Sequence, residues 1–333
     1  MCRDASVFKA SFKFPALVMP AISIIIPVYG TEKFIARCLD SVIAQSFNDY
    51  EVIVVNDCTK DNAMNIVQDY CMNHKCIKII DHVTNQGLMV ARRSGYNAAS
   101  GKYIVFLDSD DTLPVSALSI LYSAIESSGH RIVTGGYKYI LDKGTSIDHV
   151  PVIKGVFRSK EAIELCLQHK LNHNLAFGIF DRALFEKKYH TIPNQTNGED
   201  LILFYQLVAE AGSIQVIPDL VYNYYQNFDS SSNTPPTLSK LHQWANVQNF
   251  KYVFCKSLNV DNNYLFRNIL EIIGTWSVVK GGKSVYKELD NGIQEKITPI
   301  SFLKYLPFLR GLYLIFLNYM PSLATKMTNY KRK

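Results

Sequence analysis

Gly101-Lys102-Tyr103-Ile104-Val105-Phe106-Leu107-Asp108-Ser109-Asp110-Asp111 is an apolar strand that stops abruptly in three carboxylates. Acids this close repel one another and must be solvated or neutralised. A hard divalent ion would do that, taking oxygen ligands while leaving positions open for phosphate. One reading is therefore a metal–diphosphate site. The other is an acidic helix start, with Asp or Thr capping, Pro114 near the first turn and a helix over about 115–127. The run alone leaves both open.

Upstream the same grammar repeats. Ile22-Ser23-Ile24-Ile25-Ile26-Pro27-Val28-Tyr29 reads as a buried strand followed by a Pro/Gly turn. Phe34, Ile35, Cys38, Leu39, Val42 and Ile43 then recur at helical spacing within 31–45. Glu51–Val55 is a second strand, running into Asn56-Asp57. A helix is expected over 61–73, a strand over 77–80 and a third helix over 88–100. Strands alternating with helices, and apolar throughout, predict a parallel sheet covered on both faces. Ligands of such sheets bind beyond the carboxyl ends of the strands, where Asp57 and Asp108–Asp111 both fall. The turn Pro27-Val28-Tyr29-Gly30-Thr31-Glu32 has one glycine, against the three of a dinucleotide fingerprint, and no phosphate-loop motif occurs.

Beyond residue 129 the pattern loosens. Strands are expected at 131–134, 138–140, 152–157 and 214–217, with helices over 159–169 and from Asn197-Gly198-Glu199-Asp200 to about Gly212. Residues 174–181 read as less regular. Glu199-Asp200 could be no more than acids favoured by a helix dipole. Tyr222, Tyr224 and Tyr225 could stack on the rings of a ligand or pack a strand end. The loop around 230–232 could close over a ligand or be an ordinary connection, and His173 and His190 could be catalytic, although a lone histidine in such a stretch is more often packed or on the surface. The remainder is mainly helical.

Composition sets bounds. The chain has 333 residues, 48% hydrophobic and 19% charged, enough for a large core and two sub-domains. A net charge of +6 is too mild to argue for nucleic acid. Seven scattered cysteines without a C-x-x-C pair suit a reduced, cytoplasmic setting and no zinc site. Residues 1–18 mix Arg3, Asp4, Lys9 and Lys13 into apolar sequence without a long apolar core. They are expected to be a loose extension or a start-site artefact and not a signal peptide.

Taken together, Ile-Ile-Pro-Val-Tyr (25–29), Val-Val-Asn-Asp (54–57), Asn-Gln-Gly-Leu (85–88) with Ala-Arg (91–92), Phe-Leu-Asp-Ser-Asp-Asp (106–111) and Gly-Glu-Asp (198–200) resemble family 2 glycosyltransferases of the GT-A fold, closest to bacterial surface-polysaccharide enzymes. The resemblance covers about residues 20–230. It implies a Rossmann-like, mostly parallel α/β sheet sandwiched by helices, with a C-terminal helical extension. It places Pro27, Tyr29 and Glu32 at a uracil pocket and Asp57 on the uracil edge. Arg92 would lie near the nucleotide. Asp108 and Asp110 would hold the ribose and a Mn²⁺ or Mg²⁺ on the donor diphosphate, supported by Asp111. Asp200 would be the base, with Glu199 beside it. A carboxylate can take the acceptor hydroxyl's proton if it lies in hydrogen-bond reach. The chain departs from the pattern at Gly30, at Cys58-Thr59 and at Tyr224-Tyr225-Gln226-Asn227, where relatives often carry an arginine.

From Lys296 to Lys333 there are seven basic residues and no acids, around apolar runs 306–309 and 312–317. The runs are too short for a bilayer span. A basic amphipathic segment on an anionic leaflet and a helix packed on the catalytic domain are both open readings. The expected layout is an extension (1–19), a catalytic domain (20–235, with a nucleotide-sugar half 20–128 and an acceptor half 129–235) and a helical region (236–333). The expected function is an inverting, metal-dependent hexosyl- or N-acetylhexosaminyltransferase. It would move sugar from a nucleotide diphosphate, UDP by resemblance, to a glycan or lipid-linked glycan, in the cytoplasm or on the inner membrane face. The alternatives are a nucleotidyltransferase, which would want a glycine-rich basic loop after the first strand, or a degenerate nucleotide-binding relative.

Overall fold

A computed structural model of the chain describes residues 19–141, 144–193, 195–227, 237–276, 279 and 282–319. The expectations for 1–18, for the loop at 230–232 and for 320–333 lie outside these residues.

The first half alternates as expected: β1 (Ile22–Val28), α1 (Ile35–Ile43), β2 (Tyr50–Asn56), α2 (Ala63–Asn73), β3 (Ile77–Asp81), α3 (Leu88–Ala98), β4 (Tyr103–Phe106) and α4 (Ala117–Ser128). β3, β2, β1 and β4 pair in parallel in that spatial order. β1 and β4 are buried along their whole length, as strands covered on both faces must be. The helices pack closely on them. A Cβ added to Gly95 of α3 would lie 2.3 Å from Ile25 Cγ2 of β1, so no larger residue fits there.

The second half extends the same sheet: β5 (Ile132–Ile140), β6 (Ser146–His149), β7 (Gly155–Arg158), α5 (Ser159–Leu167), β8 (Gly178–Asp181), α6 (Glu199–Ala211) and β9 (Ser213–Tyr225). The full order is β3-β2-β1-β4-β8-β5-β9-β7, with β6 on β5. β8 runs antiparallel between β4 and β5, so β5 and its parallel partner β9 point the same way as β1–β4. The carboxyl ends of β1, β2, β4 and β9 therefore face one side of the molecule.

Several expectations are corrected. The two short strands at 131–134 and 138–140 are one strand, because Gly135 and Gly136 sit at an irregularity that lets β5 bend without breaking. The strand at 214–217 continues to Tyr225, since Pro218 and Asp219 lie opposite that irregularity. The strand at 152–157 narrows to 155–158. The segment read as irregular supplies β8, in the middle of the sheet.

Five α-helices follow among the described residues: α7 (Leu238–Ser257), α8 (Asn262–Ile273), α9 (Asn291–Gln294), α10 (Pro299–Tyr305) and α11 (Phe308–Tyr319). Leu241, Ile269, Phe302 and Leu314 share one continuous buried cluster with Ile25 and Phe106 of the sheet. The described part of the basic C-terminal segment thus packs its apolar side inward, with Leu306, Leu314 and Leu317 buried. No helix among the described residues is long and apolar enough to cross a membrane. The six described cysteines are free thiols.

Candidate active site

A cleft of about 1280 Å³ lies across the carboxyl ends of β1, β2, β4 and β9. It is lined by Pro27, Tyr29, Glu32, Asp57, Arg92, Asp108, Asp110, Glu199 and Asp200. Every residue singled out in the sequence for donor binding, metal binding or catalysis therefore meets in one place.

Asp57 directly follows β2, and its carboxylate accepts from the backbone N–H groups of Gln86 and Gly87 and from His82 Nδ1, at 2.7–2.8 Å. A carboxylate has about four lone-pair directions. Three fix the turn into α3, which leaves one for a ring N–H in the cleft. Glu32 faces it across the turn, accepting from Asn62 N–H while its own N–H donates to Asp61. Tyr29 is half exposed at the mouth.

Arg92, four residues into α3, is wholly buried. One of its terminal nitrogens donates to Asp108 Oδ1 at 2.7 Å and the other to Asp200 Oδ1. Burial opposes its charge, but Asp200, Asp108 and Glu199 outweigh that and raise its pKa. The arginine expected near the nucleotide is thus the tie between two acids. It brings the end of β4 and the start of α6 together.

Asp110 Oδ2 accepts from Asn227 at 3.0 Å, and its backbone carbonyl accepts from Arg37 at 2.6 Å. Burial raises the Asp110 pKa, and Asp108 adds to the shift against the Asn227 bond. Asp111 points elsewhere. It is buried, and accepts from Tyr222 Oη at 2.8 Å and Tyr225 N–H at 2.7 Å. Burial and the charges of Asp110 and Asp108 push its pKa well up. The acidic helix start is not what forms here. α4 begins at Ala117 behind Ser116, which makes no side-chain cap, and Asp111 instead ties the loop to β9. Tyr222 is correspondingly a buried packing residue, while Tyr224 and Tyr225 line the cleft.

Glu199 and Asp200 open α6, after Gly198 at φ +78°. A Cβ on Gly198 would stand 2.7 Å from Val247 of α7, so both the conformation and the space call for glycine. α7 also fixes the approach to this turn. Gln243 accepts from Asn197 Nδ2 at 2.7 Å, and its backbone carbonyl accepts from Gln195 Nε2 at 2.9 Å. Burial and the neighbouring Asp200 raise the Glu199 pKa to about 7. Asp200 is also raised, by burial and Asp108 against the pull of Arg92.

Sequence reasoning missed several residues in or behind the cleft. Arg37 stands behind its wall, over the Tyr225 ring at 3.5 Å from the centroid, and supplies a cation beside the Tyr-Tyr-Gln-Asn segment that lacks one. Asn172, His173, Lys240 and Trp244 line the cleft itself. For His173 the sequence offers a catalytic reading beside the packed or surface one. Only tertiary packing brings these loop and helix positions to the sheet's edge. The one available hint was a lone arginine on an amphipathic helix just after the first turn.

Two carboxylates, Asp108 and Asp110, face the same space, and no group of three metal-ligating side chains occurs among the described residues. Hard oxygen donors in that number suit a Mg²⁺ or Mn²⁺ that completes its shell with phosphate and water.

A model of the family described as glycosyl transferase family 2 matches residues 23–191, just over half the chain. The chain is 32% identical over 226 residues to the uncharacterized glycosyltransferase EpsJ of Bacillus subtilis (strain 168), covering 66% of this chain and 64% of that protein. It is 30% identical over 209 residues to the poly(ribitol-phosphate) beta-glucosyltransferase of Bacillus spizizenii, covering 61% of this chain and 32% of that one. It thus spans less than two thirds of either relative. Among solved structures, S. aureus TarS 1-349 in complex with UDP superposes with a TM-score of 0.62 at 17% identity, covering 89% of this chain and 86% of that one. The GT-A fold is common to both.

Proposed function

Because the chain belongs to glycosyl transferase family 2, we propose that it transfers a sugar, with inversion, from a nucleotide diphosphate donor to a surface-glycan acceptor. The observation that carries this reading is the joint placement of Asp57, Asp108, Asp110, Glu199 and Asp200 around one cleft, with Arg92 bridging Asp108 and Asp200. UDP is the proposed nucleotide. The TarS complexes contain UDP and UDP-GlcNAc, and the spare acceptor direction on Asp57 suits a pyrimidine N–H.

The base ring lies between Tyr29 and Asp57. Asp108 and Asp110 would hold a divalent ion there and so orient the diphosphate. When bound, the ion offsets the charge that develops on the leaving diphosphate. Asp200 keeps one oxygen on Arg92 and turns the other to the acceptor hydroxyl, taking its proton as that oxygen attacks the anomeric carbon. Burial and the neighbouring Asp200 favour the protonated form of Glu199, which then adds less negative charge beside the base. Lipid-linked acceptors and contact with an anionic membrane belong to the same proposal. They are supported by the basic, acid-free sequence from Lys296 onward.

A panel of nucleotide sugars with Mn²⁺ tests it, measuring binding and hydrolysis for the wild type, Asp110→Ala and Asp200→Asn. The wild type should bind and slowly hydrolyse at least one UDP-sugar. Asp110→Ala should lose this, and Asp200→Asn should keep donor binding while hydrolysis, in which water takes the acceptor's place, falls about 10²–10⁴-fold. Turnover of no nucleotide sugar by the wild type overturns the reading.

A further inference from the structure

His82, the first residue beyond β3, joins Asp57 to α3. Its Nδ1 meets Asp57 Oδ1 at 2.7 Å, and its Nε2 meets Ser94 Oγ at 2.8 Å. The side chains of His82 and Asp57 are 6% and 5% exposed, so water has little access to the bond between them. The backbone fixes both residues: Asp57 N–H donates to the Val28 carbonyl of β1 at 3.0 Å, and His82 N–H to the Asn56 carbonyl of β2 at 2.9 Å. Ser94 lies on α3, two residues after Arg92. The helix that ties Asp108 to Asp200 therefore also anchors, through one imidazole, the carboxylate proposed to meet the nucleobase.

The direction of these bonds follows from the acid. An ionised carboxylate only accepts, so Nδ1 carries the ring proton. In the neutral ring Nε2 is then the acceptor, and the Ser94 hydroxyl donates to it. Ser94 thereby fixes both the tautomer and the plane of the ring. Serine, histidine and aspartate in this sequence of bonds are also the partners of a hydrolytic triad. Here the order in space is reversed, because Asp57 lines the cleft and Ser94 does not. The chain of bonds acts on the carboxylate, and the hydroxyl is its anchor.

The bonds on each oxygen say what the anchor is for. Oδ1 takes His82 and the Gln86 N–H, whereas Oδ2 takes the Gly87 N–H alone. With two lone-pair directions on each oxygen, the spare one is on Oδ2. Residues 83–86 are exposed, so the two backbone donors sit on or beside a surface loop. Among the described residues His82 is the one side chain that bonds this carboxylate, and it ties it to a packed helix. We propose that His82, set by Ser94, is a positioning residue for nucleobase recognition. It locks the Asp57 carboxylate with Oδ2 open to the N3–H of uracil. Cytosine brings a bare lone pair to the same point and must shift to offer its amino group instead. The inference rests on the UDP reading and adds the residues that make Asp57 selective.

The test is calorimetric titration of UDP and CDP, each with Mn²⁺, into the full chain. The wild type should bind UDP at least about tenfold tighter than CDP. His82→Leu should weaken UDP about tenfold and leave CDP within about twofold, since CDP has no N3–H bond to lose. His82→Asn, whose amide can donate from close to the place of Nδ1, should keep most of the UDP preference. Ser94→Ala, a milder change, should cost UDP about threefold and leave CDP unchanged. Should His82→Leu not fold, Ser94→Ala decides by the same split. A residue that merely holds the loop would weaken both nucleotides alike. That result, or a UDP preference intact in both His82→Leu and Ser94→Ala, or a wild type that binds UDP and CDP equally, overturns the inference and leaves UDP binding standing. A wild type that binds neither nucleotide overturns the UDP reading and the inference with it.

Discussion

Arg92 and Asp200 are bonded guanidinium to carboxylate across 108 residues of sequence, and the same guanidinium holds Asp108. The carboxylate proposed as base and one proposed for donor binding are thus set by a single side chain. Arg92→Lys should fail to replace it, since an ammonium lacks the planar fork that reaches both acids. Breaking a buried pair costs about 3–5 kcal/mol. Both carboxylates are about a quarter exposed, so the lower part of that range is expected. Urea unfolding should show the loss, together with a fall in UDP-sugar hydrolysis of at least about a hundredfold. A lysine variant of full stability and activity would contradict the bridging role.

Asp110 and Asp111 are neighbours with opposite duties, and substitution should separate them. Asp110→Ala should abolish donor turnover with little loss of stability, because among the described residues its carboxylate bonds the Asn227 side chain and otherwise faces the cleft. Asp111→Ala leaves Tyr222 Oη and Tyr225 N–H without their acceptor, which should cost about 2–4 kcal/mol. Thermal melts and donor binding on both variants check this. The reverse pattern would reassign the two acids.

At the far end of the sheet, Glu51 predicts a pH dependence of stability. Burial would raise its pKa, but bonds from Lys78, Ser23 and Ser100 outweigh that and bring it down to about 2. A lowered carboxylate pKa contributes stability above its unfolded value, near 4.5. That contribution is lost as pH falls from there toward 2. Glu51→Gln should therefore destabilise the protein by roughly 3 kcal/mol at pH 7 and by progressively less below pH 4.5. A stability difference that does not vary with pH would rule this out.

The outer side of α10 and α11 carries Ile300 at 78% exposure, with Leu303, Lys304 and Tyr313 also exposed. If this side meets an anionic bilayer, Ile300→Glu with Leu303→Glu should reduce co-sedimentation with phosphatidylglycerol vesicles several-fold, leaving thermal stability intact. Equal sedimentation of variant and wild type would remove the membrane from the proposal.

The stretch from Ile22 to Leu107 is readable because its strands are uninterrupted apolar runs and its helices keep a 3.6-residue period. β9 was harder. Pro218 and Asp219 break the apolar pattern midway, and only pairing with the bent β5 carries the strand through to Tyr225. The acids of the site were found because they sit at strand ends or in short recognisable motifs. Arg37 and Trp244 were not, because nothing local says that a helix flank will be pressed against the end of a distant strand. The role of Asp111 was likewise invisible, since its partners lie more than a hundred residues downstream.

Gly198 leaves no room between the α6 turn and Val247, and Gln243 grips the residues just before it. The reacting carboxylates are thus mounted on the strand core from one side and clamped by α7 from the other. Drift in the helical region would be felt as a change in reaction speed even where no helix residue touches a sugar. Swapping that region between relatives would transplant catalytic alignment along with whatever specificity it carries.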